Sequence, residues 1–495
     1  MAAPGPEAPR LRGRISWFDT IPAWIVAGAV ALTVVFAMGA PRPPAAAAPS
    51  TPNPSAAALA DRITTDGLGS SLDALAKTAT DNGGTRRTGG AGDAASVAFI
   101  EDTLRKAGYD VREDPFDTAV FTDGSSDEVS ITGAGAPTFL AGRDFAPLMF
   151  SPAGTVEGPV VALAWDPTAR AADGPGCNAA DFADFPAGAI VLARPANCLR
   201  RKVVLNAQAA GAAAVIAGVP WTNPGEIRRS TLIDPGGLTI PAMAADNLVG
   251  NALAALQPGQ RVRIVTSGSS ETRTLRNVLA DLPGADPSRV VIVGAHVDTS
   301  MDGPGIDDDG TGVATILALA QALAGTTPPV TIRFAFWAAE ESGLHGSTHY
   351  VEGLGSGGGP KVVAYLNADM LGSPNGYRGV YDDAQAAPGS GAIRDLFEAD
   401  LTAAGLAWKT EDLFGSADHA PFEQAGIPTG GLFSGAAEIM SPADADTFGR
   451  QANEYADPCY HLACDGRSNV DAALFLQLAR SFARVTLEVA ANPPG

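Results

Sequence analysis

The stretch that decides the fold is residues 294–312, which read GAHVDTSMDGPGIDDDGTG. A strand-like run, VVIV at 290–293, precedes it, and a helix-like run, VATILALAQAL at 313–323, follows it. Three consecutive aspartates lie where the chain turns from the strand to the helix: Asp307, Asp308 and Asp309. Because unpaired charge at the end of a buried strand is costly, this turn predicts a functional site.

Strands and helices alternate along the rest of this region. From Asn277 onward the strand-like runs are VLADLPG, VVIVGAH, VTIRFAFWAAEE and KVVAYLNADM, and a terminal helix begins at Asn469. This alternation predicts an α/β fold with a doubly wound, mainly parallel sheet sandwiched by helices. Sites in such sheets lie outside the carboxyl ends of the strands.

Groups that can bind a metal follow these predicted strands. They are His296, Asp298 and Asp308 after one strand, the pair Glu340 and Glu341 after the next, Asp369 after a third, and His461 in CYHLAC near the C-terminus. Imidazole and carboxylate ligands from several strand ends are what a divalent transition metal requires. This set suits two close metal ions that share one aspartate, and one of the adjacent glutamates then remains free to act as a base.

Length and charge limit the classes of protein to consider. A chain of 495 residues predicts two folded units and a tail, and 46% hydrophobic residues are ample for a large core. There are 33 Lys and Arg against 54 Asp and Glu, which gives a formal net charge of −21. Because phosphate binding needs a basic surface, this charge argues against nucleic acid as a partner.

The N-terminus contains an uncharged stretch long enough to span a bilayer as a helix. Residues 21–40 read IPAWIVAGAVALTVVFAMGA, and arginines precede them in the tail at 1–20. The arginines predict a short cytoplasmic tail, so that the bulk of the chain lies outside the membrane. We expect a retained signal anchor with an extracytoplasmic catalytic domain; a cleaved signal peptide and a secreted protein is the alternative. No cysteine lies near this stretch, which excludes a bacterial lipoprotein.

The four cysteines form two sequence-local groups. Cys177 and Cys198 fall in one region, and Cys459 and Cys464 fall in another. Two local disulfides fit an extracytoplasmic protein. A zinc site built from all four thiolates is the competing interpretation, but the spacings contain no CxxC pair.

Composition divides the remaining chain into further segments. Residues 41–58 are a Pro/Ala linker, and a first folded part covers 59–150. Residues 151–268 alternate short apolar runs with Gly/Pro turns, which predicts a small β-rich insert. The strand–helix region that carries the potential ligands occupies 269–495.

Seven motifs carry a resemblance to a known family. In order along residues 277–470 they are HVD, GPGIDDDGTG, FWAAEESGLHGS, NADMLGSPN, SADHAPF, GIPTGGLFSG and CYHLACD. Together they resemble the cocatalytic, two-zinc aminopeptidases, of the secreted bacterial leucine aminopeptidase type. The insert, with Cys177 and Cys198, resembles the protease-associated domain often found in that family. Its position between the two parts of the peptidase domain suggests a lid or a substrate-selecting role.

The resemblance implies a role for each residue of the predicted site. His296 and Asp369 would complete one zinc site, Glu341 and His461 the other, and Asp308 would bridge two Zn²⁺ ions. Glu340 would be the general base that activates a metal-bridging water, and Tyr460 would donate a hydrogen bond to the oxyanion. Asp298 would orient His296 through its other ring nitrogen. The substrates implied are peptides with a free N-terminus, hydrolysed at their first peptide bond.

Several positions are assigned outside this set or depart from the family pattern. Asp307 stands where the family often has Asn, and Asp309 is expected to be structural at the N-terminal end of the following helix. His345 and His349 are expected to be surface or packing residues. His419 is expected to hydrogen-bond with Asp418. Ser416 stands where several relatives have an arginine that helps to hold the substrate, which leaves the side-chain preference open.

Other functions remain as alternatives. A carboxypeptidase would need cationic groups for a C-terminal carboxylate, and Arg450 and Arg467 are near His461 in the sequence. A single-zinc glutaminyl cyclase, or another zinc exopeptidase of the superfamily, is a second alternative. A non-catalytic, receptor-like ectodomain is a third, although that branch has lost ligands that are all present here.

Overall fold

The computed structural model describes residues 54–494 except 134–135, 166–174, 195–197, 219–226, 355–358, 383–386 and 413–414. The expected cytoplasmic tail at 1–20 and the expected membrane span at 21–40 lie outside these residues, as does most of the linker at 41–58. Among the helices of the described residues, none combines the length and the apolar character needed to cross a bilayer.

The described residues contain both helices and strands in alternation. The helices are α1 (Ala56–Arg62), α2 (Thr65–Asp81), α3 (Ala91–Lys106), α4 (Arg200–Ala209), α5 (Asn247–Ala254), α6 (Gly310–Leu323), α7 (His345–Gly353), α8 (Ser390–Ala403), α9 (His419–Gln424), α10 (Pro442–Phe448) and α11 (Ala472–Ala491). The strands are β1 (Val111–Thr122), β2 (Glu128–Ile131), β3 (Phe145–Pro147), β4 (Gly154–Gly158), β5 (Val160–Ala162), β6 (Ile190–Ala193), β7 (Ala214–Gly218), β8 (Ala242–Ala245), β9 (Val262–Thr266), β10 (Ser269–Leu282), β11 (Asp286–His296), β12 (Val330–Trp337), β13 (Lys361–Ala368), β14 (Gly379–Tyr381), β15 (Lys409–Glu411) and β16 (Thr429–Phe433). Short 3₁₀ helices cover Ala179–Phe182 and Arg467–Asn469.

The main sheet has eight strands in the order β1-β10-β12-β11-β13-β16-β14-β15. Its centre, β12-β11-β13-β16, is parallel, whereas β1 and β10 on one side and the β16–β14 pair on the other are antiparallel. The α/β prediction is confirmed, but the sheet is mixed rather than mainly parallel throughout. Every residue of β12 is buried, as is typical of a strand covered on both faces.

Helices cover both faces of this sheet. Successive residues of β11 alternate between them: Val291 and Val293 belong to the larger core with α2, α6 and α11, whereas Val290 and Ile292 pack with α7 and α9. Because side chains alternate across a strand, one continuous apolar run supplies both cores. The sandwich of helices around the sheet is therefore as predicted.

The insert forms two smaller sheets, β2-β9-β4 and β3-β8-β7-β6-β5. Strands β2 and β3 pair with β9 and β8, so Glu128–Ile131 and Phe145–Pro147 join the sheets of the insert, ahead of the expected boundary at 151. The sequence boundary lay where short apolar runs begin to alternate, and these two short strands precede that change. The insert leaves and rejoins the main sheet through β1 and β10, which pair along twelve residues from Val111↔Ala280 to Thr122↔Ser269.

The buried carboxylate of Asp93, near the start of α3, makes stability depend on pH. Its Oδ2 accepts a hydrogen bond from the Gly89 N–H at 2.8 Å, but its Oδ1 has no hydrogen-bond partner. Burial, assisted by the nearby Asp298 carboxylate, raises the pKa of Asp93 from 3.8 to about 7. The folded state therefore binds a proton more tightly than the unfolded state, and stability present below pH 4 is lost as the pH rises through 7.

We therefore expect Asp93→Asn to stabilise the protein at pH 8 but not at pH 4. A gap of three pH units corresponds to an upper bound of about 4 kcal/mol in the free energy of unfolding. Urea unfolding at both pH values measures this difference. The matched control is Asp102→Asn, an exposed aspartate on the same helix, which we expect to show no such gain. An equal effect of Asp93→Asn at both pH values would contradict the prediction.

Candidate metal centre

The predicted ligands converge at one edge of the main sheet. His296 is the last residue of β11, the Glu340–Glu341 pair follows β12 by three residues, and Asp369 directly follows β13. Because these three strands are parallel neighbours, their carboxyl ends lie side by side. His461 reaches the same place from a loop that the Cys459–Cys464 disulfide closes.

One cluster of ligand atoms surrounds the imidazole of His296. Its Nε2 lies 3.1 Å from Asp308 Oδ1 and 3.7 Å from Asp369 Oδ1. Glu340 Oε2 is slightly more distant, at 3.9 Å. Two ligands of a tetrahedral zinc, each at about 2.0–2.2 Å from the ion, are roughly 3.3–3.6 Å apart. The distances from His296 to Asp308 and to Asp369 lie just below and just above this range, so these three residues suit a shared metal ion.

A second cluster surrounds the imidazole of His461. Its Nε2 lies 3.1 Å from Asp308 Oδ2 and 3.1 Å from Glu341 Oε2. The two carboxylate oxygens of Asp308 thus face one imidazole each. This arrangement is what a bridging carboxylate between two ions requires.

The other two aspartates of the acidic turn have different surroundings. Asp309 caps α6, because its Oδ1 accepts the Gly312 N–H at 2.8 Å, and its Oδ2 accepts the backbone N–H of His296 at 3.1 Å. The Asp309 carboxylate also lies close enough to His296 and Asp369 to share an ion with them. We assign it to the cap, because backbone N–H groups already engage both of its oxygens and Asp308 is directed at both imidazoles.

Asp307 points away from the two imidazoles. Its Oδ1 accepts the Gly372 N–H at 2.8 Å, and its Oδ2 accepts the Ser373 hydroxyl at 2.9 Å. Burial raises the pKa of Asp307 well above its usual value, and the neighbouring acidic groups Asp457 and Asp465 add to this effect. Asp307 therefore supports the loop after β13 rather than the ligand clusters.

The contact between His296 and Asp298 differs from the expected one. The His296 Nδ1 hydrogen bond is made with the backbone carbonyl oxygen of Asp298 at 3.0 Å, whereas the Asp298 carboxylate is 3.9 Å away. That carboxylate instead accepts the Thr88 hydroxyl at 2.6 Å and the Glu340 N–H at 3.1 Å. Asp298 thus orients His296 through its main chain, and its side chain holds the backbone of Glu340.

The electrostatics of the centre call for positive charge. Five buried or nearly buried carboxylates gather around two imidazoles: Asp308, Asp309, Glu340, Glu341 and Asp369. Burial raises the pKa of both glutamates, and Glu341 Oε1 is buried without a hydrogen-bond partner. Burial would lower the pKa of His461, but Glu341 and Asp308 raise it to about 10. Since buried carboxylates need compensating charge, the residues present fit divalent cations.

Tyr460 lies against the ring of His461. The two ring centroids are 3.8 Å apart with an angle of 27° between the planes. Burial, with the nearby carboxylates of Asp308 and Glu341, raises the pKa of the Tyr460 phenol well above its usual value. The phenol therefore remains neutral and is able to donate a hydrogen bond beside the two clusters.

The remaining three histidines lie outside the clusters. His345 Nε2 bonds with the Ile233 carbonyl oxygen at 2.9 Å, and the His349 ring stacks on Phe116. His419 does not make the expected hydrogen bond with Asp418. Its two ring nitrogens are buried without hydrogen-bond partners, its ring meets that of Tyr381 edge-on, and burial lowers its pKa to about 4. A neutral, packed imidazole explains this position better than a polar pair.

Both arginines considered for a carboxylate-binding role have partners elsewhere. Arg450 donates to Asp471 at 2.8 Å and to the Gly376 carbonyl oxygen at 2.7 Å. Arg467 donates to Asp73 at 2.7 Å. These contacts weaken the carboxypeptidase alternative, which depended on one of the two guanidinium groups.

One segment of the insert contacts the loops that carry the ligands. Arg229 bonds with Asp302, in the loop between His296 and Asp308, at 2.7 Å, and Thr231 donates to the Ser342 carbonyl oxygen at 2.8 Å. Sequence reasoning missed these contacts, because nothing in the local pattern of residues 228–233 shows what they touch.

The first folded part also supplies contacts that the sequence did not reveal. Arg86 is fully buried and donates to three backbone carbonyl oxygens of the same loop, those of Val297, Pro304 and Gly305. Its partners lie more than 200 residues away along the chain, so the sequence carries no local signal for them.

Both predicted disulfides, Cys177–Cys198 and Cys459–Cys464, are present.

The fold and the site together define a metal-dependent hydrolase: an α/β sheet with two imidazole–carboxylate clusters at its strand ends and a glutamate beside them. Comparison with known proteins makes the class specific. The model of peptidase family M28 matches residues 277–486, and that of the PA domain matches residues 156–253.

Relatives match over most of the chain. An aminopeptidase of Pseudomonas aeruginosa is 36% identical over 406 residues, which cover 79% of this chain and 74% of the relative. A probable lipoprotein aminopeptidase of Mycobacterium tuberculosis is 36% identical over 431 residues, covering 84% and 83%. The chain therefore belongs to peptidase family M28, and its place in that family is among the aminopeptidases.

A solved structure agrees with the fold. The aminopeptidase from Aneurinibacillus sp. strain AM-1 superposes with a TM-score of 0.67 at 24% identity, over 88% of this chain and 96% of that one. The overall fold is thereby supported independently of the sequence motifs.

Proposed function

We propose that the protein is a two-zinc aminopeptidase that removes the N-terminal residue from peptides with a free N-terminus. The observation that carries this proposal is the position of Asp308, whose two oxygens each lie 3.1 Å from a different imidazole. A carboxylate placed in this way has little reason to be buried unless two cations share it.

Two ligand sets follow from this geometry. His296 and Asp369 would hold one zinc, Glu341 and His461 would hold the other, and Asp308 would contribute to both. Imidazole and carboxylate donors are ordinary zinc ligands. Zinc bound here would polarise the scissile carbonyl and make a water molecule more acidic.

Glu340 is the candidate general base. Its carboxylate lies beside the His296 cluster, and its side chain is only 11% exposed. Its neighbour Glu341 is directed at His461 instead, at 3.1 Å. One glutamate of the pair is thus available for proton transfer, taking a proton from the attacking water and giving it to the leaving amine. Tyr460 would donate a hydrogen bond to the oxygen that becomes negative.

The acidic character of the centre supports selection for an amino terminus. A substrate ammonium group would meet carboxylates such as Glu340 and Asp369, and a C-terminal carboxylate would be repelled by them. Ser416 stands in place of an arginine, so the α-amine would depend on these carboxylates rather than on a guanidinium group. The lid or substrate-selecting role of the insert finds support in its contacts with the loops at Asp302 and Ser342.

The location of the protein is proposed on separate grounds. Two disulfides favour an oxidising, extracytoplasmic compartment. The relative from Mycobacterium tuberculosis is described as a lipoprotein aminopeptidase, which is consistent with such a location. We propose that residues 21–40 anchor the chain in the membrane or are removed on export.

The function is tested with a panel of aminoacyl-anilides and N-blocked peptides, with and without a chelator. We expect chelator-sensitive release from free N-termini only, restored by added zinc. Release from blocked peptides at an equal rate would overturn the aminopeptidase assignment. Metal analysis of the purified protein shows whether each chain binds two zinc ions or one.

The disulfide beside His461 provides a further prediction. The Cys459–Cys464 bridge closes a loop that contains Tyr460 and His461, and His461 has a left-handed backbone with φ of 59°. Groups that orient a ligand affect metal affinity by about 10- to 100-fold. The variant in which Cys459 and Cys464 are both replaced by serine is therefore expected to bind zinc more weakly by that factor.

The matched control removes the other disulfide. Replacement of Cys177 and Cys198 by serine alters only the insert, so zinc affinity measured by competition with a chromophoric chelator should stay unchanged. Equal losses in the two double variants would show that the effect is general destabilisation rather than orientation of His461.

A further inference from the structure

We infer that Thr88 is a positioning residue for the catalytic base, an inference that rests on the function proposed for Glu340. Thr88 lies between α2 and α3, in the part of the chain that precedes the insert, and is 7% exposed. It is 252 residues away from Glu340 in the sequence. No motif of the family resemblance includes it.

Thr88 joins two residues that flank the base. Its hydroxyl donates to Asp298 Oδ2 at 2.6 Å and accepts the hydroxyl of Ser342 at 2.9 Å. A hydroxyl group has one proton to donate, so this pattern satisfies it in a single direction, from Ser342 through Thr88 to Asp298. The other oxygen of the Asp298 carboxylate accepts the Glu340 N–H at 3.1 Å.

Ser342, Thr88, Asp298 and the Glu340 N–H thus form a connected set of hydrogen bonds, called here the brace, that spans the adjacent glutamates. Asp298 accepts the backbone N–H of Glu340, and Thr88 binds the side chain of Ser342, two residues further along the chain. Thr88 is the only member that bonds directly with both of them among the described residues. Asp298 is fully buried, so loss of the Thr88 hydroxyl leaves one of its oxygens without that donor.

The backbone at this turn needs such support. Ala339, the residue before the base, has a φ of 58°, a left-handed conformation that residues with a Cβ rarely adopt. Backbone conformations of this kind persist only where the surroundings hold them in place. On the strand side, the Ala338 N–H donates to Asn277 Oδ1 at 3.1 Å. On the base side, the Glu340 carbonyl oxygen accepts from the backbone N–H groups of Gly343 and Leu344, and the Glu340 N–H donates to the Asp298 carboxylate that Thr88 holds.

The neighbouring Arg86 shows that the same segment has a second, separable task. Its guanidinium donates to carbonyl oxygens of the loop that runs from His296 to Asp308, and none of these three hydrogen bonds reaches the Glu340 turn. Thr88 therefore bonds with the two side chains that flank Glu340, whereas Arg86 bonds with backbone carbonyl oxygens of the loop that carries metal ligands. This difference allows the two roles to be told apart in a measurement.

The test replaces Thr88 by valine, which has nearly the same shape but no hydroxyl group. We expect kcat to fall by about 10- to 100-fold, with KM changed less than about threefold and zinc content unchanged. Thr88→Ser, which keeps the hydroxyl, should restore kcat to within about threefold of the natural enzyme. Thr80→Val, at an exposed threonine of α2, is the control for the substitution itself.

A second readout does not depend on catalysis. Amide hydrogen exchange of the full chain should become faster at 338–344 in Thr88→Val, and should stay unchanged at 303–306, where Arg86 binds the carbonyl oxygens of Pro304 and Gly305. If exchange at 338–344 is faster in Thr88→Val but the natural protein has no activity, the proposed function is overturned and the brace is supported. Unchanged exchange at 338–344, or a loss of kcat that Thr88→Ser shares or that follows zinc loss, would overturn the inference.

Discussion

Replacement of Glu340 by glutamine is expected to lower kcat by about 100- to 10,000-fold, the usual range for the loss of a general base. Glutamine has the shape of glutamate but cannot take up the proton. The Glu340 carboxylate lies 3.9 Å from His296 Nε2, outside the closest contacts of either cluster, so zinc content should remain that of the natural enzyme. Steady-state kinetics and metal analysis of the same preparation measure both quantities.

The adjacent residue provides the comparison for this prediction. Glu341→Gln removes a carboxylate that lies 3.1 Å from His461 Nε2, and should lower zinc occupancy as well as rate. Glu352→Gln, at an exposed position of α7, should change neither. If Glu340→Gln kept the natural kcat, or lost zinc as Glu341→Gln does, the roles of the two glutamates would have to be reassigned.

The second large effect is expected for Asp308→Asn. An amide group offers one oxygen and a nitrogen that donates hydrogen bonds, so it cannot supply an oxygen ligand to each of two ions. Bound zinc should fall from two ions to one or none per chain. Because a metal ion supplies several kcal/mol of transition-state stabilisation, activity should fall on the order of 10³-fold or more.

The adjacent aspartate is a close control for this substitution. Asp307→Asn makes the same chemical change one residue away, at a carboxylate that accepts from Gly372 and Ser373. The resemblance implies that related proteins often have Asn at this position. An amide can keep both contacts if its oxygen accepts the Gly372 N–H and its NH2 group donates to the Ser373 hydroxyl, whose own proton then goes to the Gly435 carbonyl oxygen. Zinc content and kcat should stay near their natural values. Two zinc ions retained by Asp308→Asn, or equal losses at both positions, would contradict a bridging role for Asp308.

The ligand clusters could be predicted from the sequence because a physical rule connects them. The apolar runs of β11, β12 and β13 identify buried parallel strands, and the carboxyl ends of parallel strands meet at one edge. His296 ends β11, Asp369 directly follows β13, and Glu341 comes four residues after the end of β12, so their proximity follows from the order of the elements. His461 was singled out from its place between two cysteines that could close a short loop, because that loop is held by a disulfide rather than by the sheet.

Other features required three dimensions. The antiparallel strands β1 and β10 were difficult to predict because the first half of β10 is exposed and charged, so it lacks a clear alternation of apolar and polar residues. The carbonyl oxygen and the carboxylate of Asp298 differ by less than 1 Å in their distance from His296 Nδ1. No residue pattern in the sequence specifies which of the two makes the hydrogen bond. Thr88 and Arg86 act through partners far away in the chain, and only the packed structure brings them together.

The pairing of β1 with β10 has a consequence for the ancestry of the chain. Thr122 and Ser269 are register partners at the end of the ladder, so the chain leaves the main sheet and returns to it at neighbouring points. A short turn between these two residues would close an ordinary hairpin without disturbing the strand order. Because β10 runs antiparallel to β12, this junction lies at the same edge of the sheet as the predicted ligands. A module gained or lost here during evolution would therefore change the surroundings of the site while the strand order stays the same.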